Sequence, residues 1–188
     1  EITLEANPGT HEAARFAGYV ANGVNRFSIG VQSFNDERLK ALGRIHDRRQ
    51  ALQAVETALK HVDNINLDVM YALPGQSMDG AVEDARTAVA SGATHLSFYE
   101  LTIEEGTAFY KREPAGLPDN DTAAEMGETV ASILAQAGFE HYEVSGYAKP
   151  GHRCRHNLNY WTFGDYIGVG AGAHGKITVS YTHLTLPT

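Results

Sequence analysis

The sequence predicts an α/β fold whose parallel strands form a whole or partial barrel. Strand-like and helix-like segments alternate at about thirty-five residues per unit, the βαβ pattern that makes successive strands parallel. Turn residues such as Asn7-Pro8-Gly9 follow the strands, and polar side chains collect at the same places. No Gly-x-Gly-x-x-Gly links a strand to a helix, which disfavours an open dinucleotide-binding sheet and favours a barrel.

Apolar spacing locates the elements of the first half of the chain. Alternate apolar residues, such as Phe27, Ile29 and Val31, predict strands, and spacings of three and four predict helices. Thr10 and Ser77 are the predicted helix N-caps. The predicted order is strand 2–4, helix 10–23, strand 26–32, helices 36–42 and 48–61, strand 65–71 and a helix from 77 to about residue 92.

The second half continues the pattern after a fourth strand at 95–101. Residues 102–118 are predicted to form a loop of about seventeen residues, a length that indicates function as well as connection. Asp119 or Asp121 is expected to cap a helix that ends at Gly138. Further strands are predicted at 140–147 and 165–170.

Composition restricts the class of protein. The net charge of −8 argues against a nucleic-acid surface, which needs clustered Lys and Arg. The sequence has neither an apolar run long enough to span a membrane nor a signal peptide. One cysteine excludes an internal disulfide and suits a reducing compartment, so we predict a cytoplasmic location.

Polar residues stand at the carboxyl ends of four successive predicted strands, where the chemistry of parallel α/β proteins collects. Each alone has a structural explanation as an ion pair, a cap or an acceptor for loop amides. Together they predict a pocket for a ligand with hydroxyl and charged groups, and Arg44 is placed to clamp a carboxylate. Asp68 carries most weight because it interrupts an apolar strand, where an ionised carboxylate needs a partner. The set is Glu5, Asn7, Gln32, Asp68, Tyr99 and Glu100.

A second candidate site lies in residues 152–161, which hold the only cysteine and the only tryptophan. If the stretch were a strand, His152, Cys154 and His156 would share a face and could bind zinc, copper or iron. The alternative is an amphipathic loop with solvated histidines and a packed cysteine.

These positions resemble the radical S-adenosylmethionine (SAM) proteins of the oxygen-independent coproporphyrinogen III oxidase type. The resemblance covers residues 1 to about 177, with agreement in spacing throughout. Within that family, HNLNY (156–160) resembles the H-N-x-x-Y motif of the heme chaperone branch, and AGAHG (171–175) is also similar to that branch. The other matching segments are EANP (5–8), GVQSF (30–34), LGRIH (42–46), NLDVMYALPGQ (66–76) and YIGVG (166–170).

The resemblance implies two sets of ligand-binding residues. Glu5, Gln32, Arg44 and Asp68 are expected to line the SAM site, with Arg44 on the methionyl carboxylate and Asp68 on the ribose hydroxyls. The second set, His156, Asn157 and Tyr160, is expected to contact heme, with His156 as an axial ligand of the iron.

The family also implies a 4Fe–4S cluster, but its C-x-x-x-C-x-x-C motif and Gly-rich segment do not occur in this sequence. Cys154 alone cannot hold a cluster, so the ligands are expected upstream and the chain is expected to be inactive in radical chemistry by itself. We therefore predict an α/β, partial parallel (β/α) barrel of the radical SAM type that is truncated at both ends.

Three predicted segments and three functions follow from this interpretation. The segments are a barrel fragment at 1–118, the last helix and strands with the heme motif at 119–177, and a foreign or artefactual tail at 178–188 that is rich in threonine. The favoured function is a heme chaperone that delivers heme to respiratory proteins, membrane-associated ones among them. The alternatives are a coproporphyrinogen III oxidase of heme biosynthesis and a non-catalytic metal-binding module.

Overall fold

A computed structural model of the chain describes residues 1–9, 15–179 and 182–187. The N-cap predicted at Thr10 lies outside these residues. The chain divides into two compact units, Glu1–His152 and Arg153–Thr188. The functional segments proposed at 1–118, 119–177 and 178–188 stay a prediction.

The first unit contains a six-stranded sheet in the order β1-β2-β3-β4-β6-β5. β1 to β4 are parallel, as the βαβ pattern predicts, whereas β6 is antiparallel to both β4 and β5. The sheet is open, which confirms the predicted partial barrel. The strands are β1 (Thr3–Ala6), β2 (Arg26–Gln32), β3 (Ile65–Tyr71), β4 (His95–Glu100), β5 (Glu140–His141) and β6 (Gly146–Ala148).

The strand predicted at 140–147 is therefore wrong, because two short strands with a turn between them occupy these residues. Apolar and polar residues do not alternate regularly along this stretch, so the sequence has no clear strand period there. The turn has a consequence for the site: it brings Tyr142 back towards the end of the parallel sheet, where its hydroxyl meets His95.

In the part of the first unit that the structure describes, six helices connect and follow these strands. Side-chain caps account for several starts: Asp47 forms a capping box with Gln50, Ser77 accepts from the Gly80 amide, and Asp119 accepts from the Thr122 amide. The caps predicted at Ser77 and Asp119 are thus confirmed. The helices are α1 (Phe16–Ala21), α2 (Asp36–Ala41), α3 (Arg48–Leu59), α4 (Met78–Ala90), α5 (Ala108–Lys111) and α6 (Asn120–Gln136). The short α5 lies within the predicted loop 102–118.

The two faces of the parallel strands differ in chemistry because side chains alternate along a strand. One face packs against the helices and is apolar, with Ile29, Leu67 and Leu96 completely buried. Small residues on α3 and α4, such as Ala54 and Ala85, allow the helices to approach it closely. The opposite face is polar, and it is the face that carries the candidate site.

The second unit, described by itself, begins with helix α7 (Arg155–Trp161). A hairpin of β7 (His174–Val179) and β8 (Thr182–Pro187) follows, with antiparallel pairing between the two strands. The strand predicted at 165–170 is wrong, since this segment makes one isolated bridge, from Tyr166 to Lys176. In the part of the chain that the structure describes, no helix is both long and apolar enough to cross a membrane.

Candidate functional site

Asp68 lies at the centre of the polar face of the sheet. Its Oδ2 accepts a hydrogen bond from the Ser28 hydroxyl at 3.1 Å, and its Oδ1 accepts one from the Asn66 amide at 2.8 Å. Ser28 and Asn66 are buried, and Asp68 is half-buried. The Asp68 carboxylate therefore has the hydrogen-bond partners that its position in an apolar strand requires, one from β2 and one from β3. Each of its oxygens keeps a lone pair for another donor.

The hydrogen-bond network extends from Asp68 across three strands. Asn66 also donates to the Ser28 hydroxyl at 2.8 Å, and the Asn66 carbonyl oxygen lies 3.0 Å from the Ser97 hydroxyl and 2.6 Å from His95 Nδ1. On the other side of the ring, His95 Nε2 lies 2.7 Å from the Tyr142 hydroxyl. These contacts follow the strand register, which pairs Ser28 with Asn66 and Asn66 with His95.

None of the residues that surround Asp68 in this network belongs to the set of site residues predicted from the sequence. Their signal was present but weak. Asn66 lies two residues before Asp68, and His95 and Ser97 lie four and two residues before Tyr99, so strand alternation places each on the same face as a selected residue. What could not be read from one strand is which of them would meet.

Gln32 ends β2 in a conformation that costs energy. Its φ is 68°, and the Ser33 amide donates to the Val31 carbonyl at 2.9 Å, which closes a three-residue turn around Gln32. Such γ-turns are rare and strained, and strain of this kind collects at functional sites. The turn directs the Gln32 amide over Gly30, where a Cβ would lie 3.0 Å from Gln32 Nε2. The Tyr99 hydroxyl donates to Gln32 Oε1 at 2.8 Å.

Arg44 follows α2 and is exposed. Burial raises the pKa of the Tyr99 phenol, the Asp68 carboxylate adds to that rise, and the Arg44 guanidinium opposes it. The charges of Asp68 and Arg44 therefore both act on the Tyr99 phenol, whose hydroxyl also donates a hydrogen bond to Gln32. The structure thus brings Gln32, Arg44 and Asp68 together around Tyr99.

His46 holds the segment that carries Arg44. Its Nε2 donates to the Val31 carbonyl at 3.0 Å, since a carbonyl oxygen can only accept. Burial lowers the pKa of His46, and the Arg44 charge lowers it further, whereas the bond to Val31 opposes the shift. The neutral ring therefore ties the residues after α2 to the end of β2.

The two glutamates of the predicted set have different positions. Glu5 is exposed on β1 and is paired in register with Ser28, one strand away from Asp68. Glu100 follows Tyr99 and therefore points to the helix side, where its charge, after burial, raises the pKa of Tyr71. A Cβ on Gly127 of α6 would lie 2.9 Å from the Tyr71 hydroxyl, which places Tyr71 against the helices. The expectation that Glu100 shares the pocket is therefore wrong.

A buried carboxylate on α4 fixes the two loops beside the site. Asp84 accepts from the Ser33 hydroxyl at 2.8 Å, the Phe34 amide at 2.7 Å and the Gln76 side chain at 3.2 Å. Gln76 in turn accepts from the Leu73 amide at 3.1 Å. Asp84 thereby links the turn that follows Gln32 to the loop that follows β3. No signal in the sequence separated it from the exposed acidic residues of the same helix.

Asp84 makes stability depend on pH in a direction that can be measured. Burial raises its pKa, and the bonds from Phe34 and Ser33 oppose this rise. Because the folded pKa lies above the unfolded value of about 3.9, the folded state holds a proton that the unfolded state releases between the two values. Stability from this group is present below the unfolded pKa and is lost as pH rises through the folded pKa.

We therefore expect the difference in unfolding free energy between the wild type and Asp84→Asn to decrease as pH rises above about 4. Urea denaturation of both proteins at a series of pH values measures it, and other carboxylates cancel in the difference. A difference that grows with pH would mean that the folded pKa is lowered instead.

The stretch 152–161 is not a strand, because helix α7 starts at Arg155 with the buried Cys154 at its N-cap position. The face expected for His152, Cys154 and His156 therefore does not form. Among the described residues, no group of three or more His, Cys, Asp or Glu side chains could hold a metal ion. The three-ligand metal site is wrong for this reason.

Helix geometry groups the residues of the H-N-x-x-Y motif differently. His156 and Tyr160 are four residues apart on α7, and their rings meet edge to face with centroids 4.7 Å apart. Tyr160 also packs against Tyr166, at 4.5 Å between centroids. His156, Tyr160 and Trp161 are exposed, and Asn157 is half-buried. The helix therefore presents an imidazole beside an aromatic surface.

Comparisons with known proteins agree with the fold and with the motifs. Residues 1–88 match the family model described as the Radical SAM superfamily. The chain is 54% identical, over 179 residues, to the protein named heme chaperone HemW of Escherichia coli. The alignment covers 95% of this chain and 47% of that protein. It is 41% identical over 180 residues to the mouse protein named radical S-adenosyl methionine domain-containing protein 1, mitochondrial, covering 94% of this chain and 41% of that protein.

Among solved structures, the chain resembles the one described as coproporphyrinogen III oxidase (HemN) from Escherichia coli, a radical SAM enzyme. The TM-score is 0.80 at 20% identity, with 93% of this chain and 44% of that chain covered. At this identity the likeness shows the fold alone. The chain spans about half the length of the curated relatives that it matches.

The family implies SAM and a 4Fe–4S cluster, and the residues present fit the two groups differently. The polar face offers the Asp68 carboxylate and the side-chain amides of Gln32 and Asn66, and the segment after α2 offers the Arg44 guanidinium; these groups suit SAM. The single cysteine does not suit a cluster, which needs several thiolates. The superfamily match over residues 1–88, the sequence relatives and the shared fold agree, so the chain resembles proteins of the radical SAM superfamily.

Proposed function

We propose that this chain is part of a radical SAM heme chaperone that binds SAM on the polar face of its sheet and heme at α7. The main support is the 54% identity, across 95% of the chain, to a protein named heme chaperone. The exposed imidazole and aromatic side chains of α7 add to it. Delivery of that heme to respiratory proteins in the cytoplasm or at the membrane belongs to the same proposal.

For SAM, the proposal assigns one role to each of four side chains. Asp68 accepts hydrogen bonds from the ribose hydroxyls, and Arg44 holds the methionyl carboxylate with its guanidinium. Gln32 and Glu5 bind the remaining polar groups, Gln32 from its strained turn and Glu5 from the neighbouring strand. When bound, SAM supplies the sulfonium from which the superfamily generates a carbon radical.

For heme, the proposal rests on the chemistry of three residues of α7. Neutral imidazole is a common axial ligand of heme iron, and His156 is exposed and able to reach one. Tyr160 packs on the edge of that imidazole and limits its rotation. Asn157 is the polar member of the motif, and the adjacent Trp161, 54% exposed, offers an apolar surface to a planar macrocycle.

The two alternatives have less support. The likeness to coproporphyrinogen III oxidase rests on a solved structure at 20% identity, which supports the fold and not the reaction. The metal-binding module needed three ligands that the described residues do not bring together.

The heme assignment predicts the effect of removing the imidazole. In a titration with hemin, His156→Ala is expected to lose the Soret shift of the wild type and to bind at least about tenfold more weakly, a loss of about 1.4 kcal/mol, because an axial ligand is gone. His61→Ala, which removes an exposed histidine outside α7, is the matched control and should behave like the wild type. Equal affinity and unchanged spectra in His156→Ala would exclude this histidine as the ligand.

A further inference from the structure

A chain of hydrogen bonds leads from the β5–β6 hairpin to the site carboxylate. It runs from Tyr142 to His95 at 2.7 Å, from His95 to Asn66 at 2.6 Å and from Asn66 to Asp68 at 2.8 Å. His95 is completely buried, and Asn66 is 2% exposed. The proposed function uses only the last of these residues.

One set of bond directions satisfies the carboxylate, the amide, the imidazole and the phenol of this chain together. An ionised carboxylate only accepts, so Asn66 must turn its NH₂ group towards Asp68 and its carbonyl oxygen towards His95. That oxygen also only accepts, so His95 must carry its proton on Nδ1. The second nitrogen of a neutral ring is then a bare acceptor, and the Tyr142 hydroxyl donates to it.

The environment keeps His95 in this neutral form. Burial, together with the nearby Arg26 guanidinium and the neighbouring His152 ring, lowers the pKa of His95 to about 3. The ring therefore has one proton across the physiological range, and the only choice left is which nitrogen carries it. The Tyr142 hydroxyl, by donating to Nε2, selects the tautomer with the proton on Nδ1.

We propose that Asn66, His95 and Tyr142 are positioning residues that orient the Asp68 carboxylate for a ligand with two neighbouring hydroxyls, such as the ribose of SAM. This inference rests on the proposed SAM site and deepens it. The three residues do not touch the ligand. They act by fixing which group of Asn66 faces Asp68.

The consequence of losing the tyrosine hydroxyl follows from the same chain. Without a donor at Nε2, the His95 proton can move to that nitrogen, and Nδ1 then becomes an acceptor that faces the Asn66 carbonyl. The Asn66 amide relieves this clash by rotating, which turns its carbonyl oxygen towards Asp68. Two oxygens then repel each other, and the carboxylate leaves the orientation in which its free lone pairs meet the hydroxyls.

Ribose selectivity measures this orientation separately from general binding. The affinity of the chain is measured by calorimetry for S-adenosylhomocysteine and for its 2′-deoxy analogue, which lacks one of the two hydroxyls. In the wild type, ribose is expected to bind about tenfold more tightly than deoxyribose, the value of one hydrogen bond to a charged group. Tyr142→Phe is expected to reduce this preference about three- to tenfold while the affinity for the deoxy analogue stays unchanged.

A matched control and the fold of the variant complete the experiment. Tyr110→Phe removes the hydroxyl of a tyrosine that is 58% exposed on α5 and should keep the preference of the wild type. Phenylalanine preserves the packing of the Tyr142 ring, which lies edge to face with His95 at 5.5 Å, so the variant is expected to fold. Circular dichroism spectra and urea midpoints equal to those of the wild type would confirm that Tyr142→Phe folds.

The outcomes separate the two proposals. A wild type without ribose preference overturns the assigned role of Asp68, and the positioning inference with it. A wild type that prefers ribose, together with a Tyr142→Phe variant that prefers it equally, overturns the positioning inference alone. If Tyr142→Phe binds both ligands more weakly by the same factor, the positioning inference is also overturned. Such a result would reflect a general disturbance of the fold, which does not distinguish the two sugars.

Discussion

Asp68→Ala is expected to weaken binding of S-adenosylhomocysteine by about 100-fold. A hydrogen bond to a charged group contributes about 1.5–3 kcal/mol, and the proposed site makes two of them with the ribose, so about 3 kcal/mol is lost. Alanine also leaves the Asn66 amide and the Ser28 hydroxyl without their acceptor. Calorimetric titration of both proteins with the same ligand measures the change.

The structure provides a matched control for this substitution. Glu100 ends the neighbouring strand, but its side chain lies on the helix side of the sheet and is exposed. Glu100→Ala removes the same charge and is expected to change affinity less than about twofold, the size of a screened surface effect. Equal losses in the two variants would mean that net charge, and not the polar face, controls binding.

Asp84→Ala is expected to lower the free energy of unfolding by about 3–5 kcal/mol. It removes the acceptor of three buried donors, the Ser33 hydroxyl, the Phe34 amide and the Gln76 side chain. An unsatisfied buried donor costs about 1–3 kcal/mol, and part of this cost is recovered where the loops relax or admit water. Urea denaturation followed by circular dichroism at neutral pH measures the loss.

Glu83→Ala is the control for Asp84→Ala, since it lies one residue earlier on the same helix. Its side chain is 61% exposed and forms an ion pair with Arg48 at 3.4 Å, so we expect a change below about 1 kcal/mol. A loss below about 1 kcal/mol in Asp84→Ala as well would show that the loops after β2 and β3 do not depend on this carboxylate.

A large part of the fold follows from local patterns. The parallel strands β1 to β4 and the caps at Ser77 and Asp119 were predictable, because apolar periodicity and capping depend on residues close in sequence. The position of Gln32 and Asp68 around Tyr99 was also predictable, because parallel strands present their carboxyl ends at one edge of the sheet.

Two expectations about the candidate sites were wrong where local patterns are weak. Residues 152–161 contain no consistent apolar period, and α7 forms there instead of the strand that a metal face would need. Glu100 stands at a strand end as expected, but it is one residue after Tyr99, and adjacent side chains of a strand point to opposite faces. Its side chain therefore lies on the helix side of the sheet. A position at a strand end therefore predicts the edge of the sheet but not the face.

The sequence by itself determined the parallel direction of β1 to β4, the polar residues at their carboxyl ends and the importance of Asp68 as a carboxylate in an apolar strand. Only the tertiary structure decided what surrounds that carboxylate. Asn66 and His95 are separated by 29 residues, and His95 and Tyr142 by 47, so their contacts depend on strand register and on an antiparallel hairpin. Hydrogen bonds act over about 3 Å, and a shift of one residue in register would turn each of these side chains to the opposite face.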